Sequence, residues 1–348
     1  MKKLIFFFLI SLSFALVLSE VMFAQRFVSN VSKVATTAAP FLEIPVGGRA
    51  TGMGASFVAV ANDASAIYWN PGGISRFNRI EAMFQYTNWI ADIKFGFIGV
   101  VVPVGNIGTV GASLTTLTVP DMEVRTVERP EGTGEYFNAA DFAIGLTYAR
   151  NLTDRFSIGF NFKYIQQRIW HMSAWGIALD VGTLFKTDFL GGMMIGATIS
   201  NFGTSMRMYG RDARVFYDPD PNKYGNNDRI PAMLETESWQ LPLNFQFGLS
   251  AYIFKTENNK LLISTDAVTP SDNYQYLNIG AEYSFKDLLF LRIGNQMLFL
   301  KDADGGLSLG IGLRTKIPFS KTVVKFDYSF NDYGRLKGVH TVVLGIEY

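Results

Sequence analysis

The chain of 348 residues carries 30 Phe, 15 Tyr, 5 Trp and 33 Gly but only 18% charged residues, against roughly 25% in soluble domains, which argues against long helical bundles and disordered tails. Lys plus Arg (31) nearly balances Asp plus Glu (30), so no basic field recruits nucleic acid. With no cysteine and 2 histidines, the composition excludes disulfide scaffolds, thiol nucleophiles, thiolate metal sites, a lipoprotein anchor and a His-rich metal centre.

Taken from the N-terminus, Lys2 and Lys3 precede an apolar run over residues 4–18. Residues 1–24 therefore read as a secretory signal cleaved after Ala24, with Met22 large for its position; an uncleaved anchor is the lesser alternative. Residues 25–78 are too long for a simple tail. Gly47, Gly48, Gly52 and Gly54 permit tight turns there, and Asp63 can cap a short helix running through Tyr68. The run Asn70-Pro71-Gly72-Gly73 stops that helix. Such a segment predicts an N-terminal plug, or a brace on the periplasmic rim. Two uncharged stretches, 95–120 and 189–206, could imitate helical spans, but both are punctuated by Gly, Thr or Ser, and the first contains Pro103.

From residue 79 onward the period is two. Ile158, Phe160, Phe162 and Tyr164 alternate with Ser157, Gly159, Asn161 and Lys163, and Leu307, Leu309, Ile311 and Leu313 alternate with Ser308, Gly310, Gly312 and Arg314. Fourteen such segments occur, at 79–90, 92–103, 106–119, 137–150, 155–169, 173–186, 191–202, 242–254, 260–268, 275–286, 288–297, 305–317, 321–331 and 338–348. Their lengths suit the roughly 9–11 residues of a tilted membrane-crossing strand, and the even number suits a bacterial outer-membrane barrel. Tight links at 104–105, 151–154, 255–259, 286–287 and 318–320 alternate with mostly longer ones at 120–136, 203–241, 269–274, 298–304 and 332–337. That alternation predicts a short-turn periplasmic rim and a long-loop outer rim. Tyr86, Trp89, Tyr148, Tyr164, Trp170, Trp175, Tyr283, Tyr328 and Tyr348 fall near strand ends, where aromatic girdles belong. The expected fold is all-β, a transmembrane antiparallel barrel over 79–348 facing outer-membrane lipid and lipopolysaccharide. A soluble β-rich secreted protein is the alternative.

The run Pro45-Val-Gly-Gly48-Arg49-Ala-Thr-Gly52-Met-Gly54, continuing through Asn62-Asp63 to Tyr68-Trp69-Asn70-Pro71-Gly72-Gly73, resembles the signature of the PorV/PorQ family. More distantly it resembles the FadL-type transporters of hydrophobic compounds, which set a similar stretch ahead of fourteen strands. Gly72 stands where the family usually has Ala, and Asn62 where an acidic residue is common. The resemblance implies a role in the type IX secretion machinery of Bacteroidota and relatives. PorV-type members bind the C-terminal signal domain of secreted cargo at the outer surface, and PorQ-type members hold a surface partner. It implies no cofactor.

Gly52-Met-Gly54 lacks the strand, helix and third glycine of a dinucleotide loop. Asp218, Asp220, Asn222, Asn226, Asn227 and Asp228 offer oxygen ligands for Ca²⁺ without EF-hand spacing, so a solvated loop is favoured and no metal is expected. His171 with Ser173, or His340, suggests a surface lipid hydrolase, but the sequence places no orienting acid, and a non-enzymatic reading is preferred. Lys163, Asp180, Glu282, Arg292, Lys325, Asp327 and Glu347 fall on or near the lumen parity, as an ion-pair network or, less favoured, a conduction path. Loop 203–241 carries Met206, Tyr209, Phe216, Tyr217, Tyr224 and Trp239, the best candidates for a cargo or partner contact. The sequence thus points to capture of a cargo signal domain at the rim, with FadL-like passage of hydrophobic small molecules as the alternative.

Overall fold

The computed structural model describes residues 34–225, 227–300, 303 and 305–348. The expected signal at 1–24 lies outside them, as does Asn226. Residues 35–348 form the unit considered below.

Alternating polarity needs a wall with lipid on one face and a packed lumen on the other. The strands that build it are β1 (Glu81–Asn88), β2 (Lys94–Pro103), β3 (Thr109–Thr118), β4 (Ala139–Asn151), β5 (Phe156–Ile169), β6 (Met172–Lys186) and β7 (Met194–Gly203). They continue as β8 (Asn244–Lys255), β9 (Asn259–Pro270), β10 (Tyr276–Phe285), β11 (Leu289–Leu298), β12 (Leu307–Lys316), β13 (Val323–Asp332) and β14 (Gly338–Glu347). Each pairs antiparallel with the next, and β1 pairs with β14 from Glu81 opposite Glu347 to Asn88 opposite His340. Closure leaves no ladder edge unpaired, which a sheet in lipid requires. Among the described residues no helix is long and apolar enough to cross a membrane; the chain crosses with strands.

The faces follow the expected parity. Leu307, Leu309, Ile311 and Leu313 on β12 are 41–46% exposed on the outside, while Ser308 is fully buried within. Short turns join β2–β3, β4–β5, β8–β9 and β10–β11 on the rim that also holds the start of β1 and the end of β14. The opposite rim carries the β3–β4 and β7–β8 loops. The second of these is more structured than a bare loop. Within it Arg214–Tyr217 pairs with Ile230–Met233, Met206–Arg207 pairs with Ser238–Trp239, and Tyr209–Gly210 adds to β6 at Ser173 and Met172.

Tyr86, Tyr148, Tyr164, Trp170, Trp175 and Tyr348 are exposed on the outer surface, as girdle residues should be. Trp89 is a correction. β1 ends at Asn88, so strand parity no longer governs the next residue; its ring turns over the barrel end and meets Tyr333 edge-on at 5.2 Å.

The N-terminal segment fills the lumen as a plug. It comprises short 3-10 turns at Pro40–Glu43 and Pro71–Arg76 and two short helices, α1 (Gly48–Gly52) and α2 (Ala66–Trp69). The helix expected from Asp63 starts later, because the Asp63 carboxylate accepts from Ser65 N at 3.0 Å and holds a turn before Ala66. Phe41, Val46, Met53, Phe57, Ile67, Trp69 and Ile74 are among the plug residues of the buried apolar core. Its backbone lies directly on the wall. A Cβ on Gly294 would sit 2.2 Å from Met53 C, and one on Gly159 would sit 2.3 Å from Pro71 C, so only glycine fits there.

Candidate functional site

The signature residues are the fastenings of the plug. Gly48, Arg49 and Gly52 form α1, and Gly54 follows it at φ +64. Arg49 donates from Nε and Nη2 to the two oxygens of Glu282 on β10, each at 2.7 Å, and from Nη1 to Asn62 at 2.5 Å and Asp63 at 3.5 Å. A neutral acceptor at Asn62 therefore stands beside the acid Asp63 on the same guanidinium nitrogen. Burial opposes the charge on Arg49, but Glu282 first and then Asp63 outweigh it and hold the guanidinium above its ordinary pKa. Tyr68 OH donates to Leu42 O at 3.1 Å and Trp69 Nε1 to Val46 O at 2.7 Å, tying α2 to the segment before α1. Asn70 is wholly buried: Nδ2 donates to Val58 O and Thr183 O, both at 2.9 Å, and Oδ1 accepts from Gly72 N, which starts the turn at Pro71.

The wall answers around its circumference. Gln85 on β1 accepts from Gly47 N at 2.6 Å; Ser250 on β8 donates to Ala59 O; Asn331 on β13 donates to Thr51 O. Asp266 on β9 accepts from Phe57 N at 2.7 Å and Val58 N at 2.9 Å. The lumen charges form ion pairs. Arg292 bridges Glu282 and Asp327; Lys325 bridges Glu81 and Glu347; Lys163 meets Asp180 at 2.8 Å. Plug and wall thus share one desolvated network.

Between the plug and the outer rim lies a cavity of about 490 Å³, lined by the extracellular halves of the strands. The plug arm supplies Phe41, Leu42, Glu43 and Ile44, and Trp69, Trp89, Tyr276 and Tyr333 supply aromatic faces. Asn244, Gln246 and Gln296 bring carboxamides from the wall. Glu43 lines this space; its desolvation inside the barrel end, then the charge of Asp272 on the β9–β10 loop, push it up to about 8. Thr37 Oγ1 fixes Asp272 with a 3.1 Å hydrogen bond. Burial lifts the Tyr68 hydroxyl well above the usual range and Tyr333 to about 12.

On the outer rim the predicted partner residues divide. Tyr209, Phe216, Tyr217, Tyr224 and Trp239 are exposed, Tyr224 completely. Met206 is only 2% exposed, paired with Trp239 and packed over Gly176, so it cannot offer a contact surface. His171 does gain an acid, with Nδ1 3.0 Å from Asp212, yet Nε2 faces the Arg211 guanidinium at 2.5 Å. A guanidinium only donates, so the nitrogen that would take a hydroxyl proton is occupied. His340 pairs with Tyr328 OH at 2.7 Å on the outer face. Among the described residues no group of three acids or histidines is placed to hold a metal ion.

The family described as type IX secretion system protein PorV matches residues 27–213, which take in the plug, the first seven strands and the start of the long arm. The chain belongs to this family. Solved structures similar to the PorV-family barrel include the Pseudomonas putida toluene transporter TodX, with 10% identity over 87% of this chain and 97% of that one at a TM-score of 0.54. The Ralstonia pickettii toluene transporter TbuX gives 12% over 87% and 97% at 0.53, and a Pseudomonas aeruginosa FadL homologue gives 12% over 88% and 98% at 0.51. At these identities the likeness is one of fold. No curated relative matches the chain in sequence.

Sequence reasoning about this PorV-family barrel missed Glu43, Asp141, Asp272 and Asp266. One signal was present: Glu43 is the lone charge between Lys33 and Arg49, an acid isolated in an apolar run. Asp266 was likewise a single acid on the inward parity of β9. Asp272 carried no signal, because its partner lies far away in the chain.

Proposed function

We propose that this outer-membrane barrel works in type IX secretion by holding a folded domain of a secreted protein, or a surface partner, against its extracellular rim. The observation that carries this reading is the division of labour in the structure. The lumen is filled by a plug bonded to strands on every side, so traffic through it is disfavoured, while the outer arm at 204–243 displays aromatic side chains to solvent. Aromatic residues on an adaptable arm are the usual anchors of a protein contact. Export by a signal at 1–24 belongs to the same reading.

The test is affinity capture of the tagged protein from gently solubilised outer membranes, with mass spectrometry of what co-purifies. Secreted proteins sharing a C-terminal domain are expected, and their loss when Phe216, Tyr217 and Tyr224 are replaced together by Ser. A lone barrel carrying apolar small molecules would sink the reading. It would favour FadL-like passage of hydrophobic compounds, the second reading, which the 490 Å³ cavity supports.

A further inference from the structure

The cavity above the plug has a definite electrostatic character. Among the described residues its lining carboxyls are Glu43 and Asp141, and the charge of Asp272 acts on Glu43. Among the described residues its one lining cation, Lys163, is already held by Asp180 and Asn201. Asp141 accepts from Gln167 at 3.1 Å and, among the described residues, forms no ion pair. Trp69, Trp89, Tyr276 and Tyr333 add ring faces, whose quadrupoles also attract positive charge. Buried polar atoms wait at the wall: among the described residues Asn244 Oδ1 and Gln296 Nε2 have no hydrogen-bond partner, and Gln296 is only 4% exposed. Such groups are costly to bury unless a ligand or water satisfies them. The Pro40–Glu43 turn supplies Phe41 and Leu42 as an apolar shelf beside the acids. A fatty-acid carboxylate would meet like charge here.

We propose that this cavity binds a primary ammonium group carried on an apolar stem, with Glu43 and Asp272 as its counter-charge. The stem lies on Phe41 and Leu42, the ammonium donates to the paired carboxyls, and Gln296 Nε2 donates to a hydroxyl or carbonyl on the stem. The volume falls within the range of small-molecule sites, roughly 300–1,000 Å³. Below about pH 8 Glu43 keeps its proton, and the arriving ammonium displaces that proton to solvent. The groups facing Glu43 are Asp272 from the β9–β10 loop, Tyr68 from α2, Tyr276 from β10 and Tyr333 from the β13–β14 loop, with Asp141, Lys163 and Asp180 farther round the lumen. The same chemistry has two sources, a lysine side chain presented by a docked protein and a free alkylamine.

The test is calorimetric titration of the full protein in nanodiscs, with empty nanodiscs subtracted, using hexylamine, hexanol and hexanoate as probes. Saturable hexylamine binding is expected, at least tenfold tighter than hexanol, with hexanoate weakest. Affinity should rise about tenfold between pH 7 and 9 as the Glu43 proton is lost beforehand. Glu43→Gln should abolish both the amine preference and the pH dependence while the unheated protein keeps its folded gel mobility; Asp272→Asn serves if that variant does not fold. Acetyl-lysine amide displacing hexylamine assigns the site to a presented lysine, and its exclusion assigns it to free amines; either supports the ammonium chemistry. Hexanol binding as tightly as hexylamine, a preference for hexanoate, or no saturable amine binding would overturn it.

Discussion

Replacing Arg49 by Met should loosen the whole plug. The guanidinium makes two 2.7 Å hydrogen bonds to Glu282, binds Asn62 and Asp63, and lies 5.3 Å from the Phe57 ring centroid. Methionine keeps most of the volume and removes the charge, leaving Asp63 without its cation. Breaking a buried pair by removing one partner costs about 3–5 kcal/mol, because the remaining charge is uncompensated. Glu282 retains Arg292 at 2.7 Å, so the lower end, about 3 kcal/mol, applies. With a urea dependence of about 3 kcal/mol per molar, the unfolding midpoint should fall by about 1 M. Tryptophan fluorescence reads it directly, since Trp69 reports on the plug. In a double-mutant cycle, Arg49→Met with Glu282→Gln should be less destabilised than the sum of the single variants by about 1–3 kcal/mol, because the two groups share one pair. A midpoint unchanged by Arg49→Met, or strict additivity in the cycle, would show that the network is solvated and that the plug is held by packing alone.

Three further outcomes follow from the same geometry. Gly294→Val places atoms where Met53 and Gly54 already lie, so the plug cannot seat and planar-bilayer recordings should show a conductance absent from the parent protein. Asn70→Ala orphans the carbonyls of Val58 and Thr183 and should lower stability by about 1–3 kcal/mol in urea titration, with β6 exchanging amide hydrogens faster. Glu43 has a folded pKa raised to about 8, so the folded state holds a proton that the unfolded chain has lost above its ordinary value near 4.5. Stability should therefore fall as pH rises from about 4.5 to 8 and level off beyond, and Glu43→Gln should flatten that slope in melts recorded across the window.

The barrel was legible because lipid imposes a two-residue rule on every strand. The segment expected at 305–317 appears as Leu307–Lys316, and that at 338–348 as Gly338–Glu347. Glu282 and Arg292 were readable as partners for the same reason: a short hairpin fixes register, and they stand directly opposite. Parity stops where a strand stops, which is why Trp89 was misassigned. It also cannot foresee pairs brought together by closure, such as Thr37 with Asp272. The paired segments inside the long arm escaped because the twelve residues 218–229, rich in turn formers, separate Tyr217 from Ile230 and hide the hairpin on either side. Met206 looked available on hydrophobicity alone; only the register with Trp239 shows that it faces inward.

The plug precedes β1 in the chain, yet every wall acid and amide that it satisfies comes later. Asp266, Asn278, Ser329 and Asn331 would face an empty lumen if the sheet closed alone. The plug is thus as much a part of the wall's polar bonding as a stopper in its bore, and the β1–β14 seam that seals the wall also encloses the ionic core.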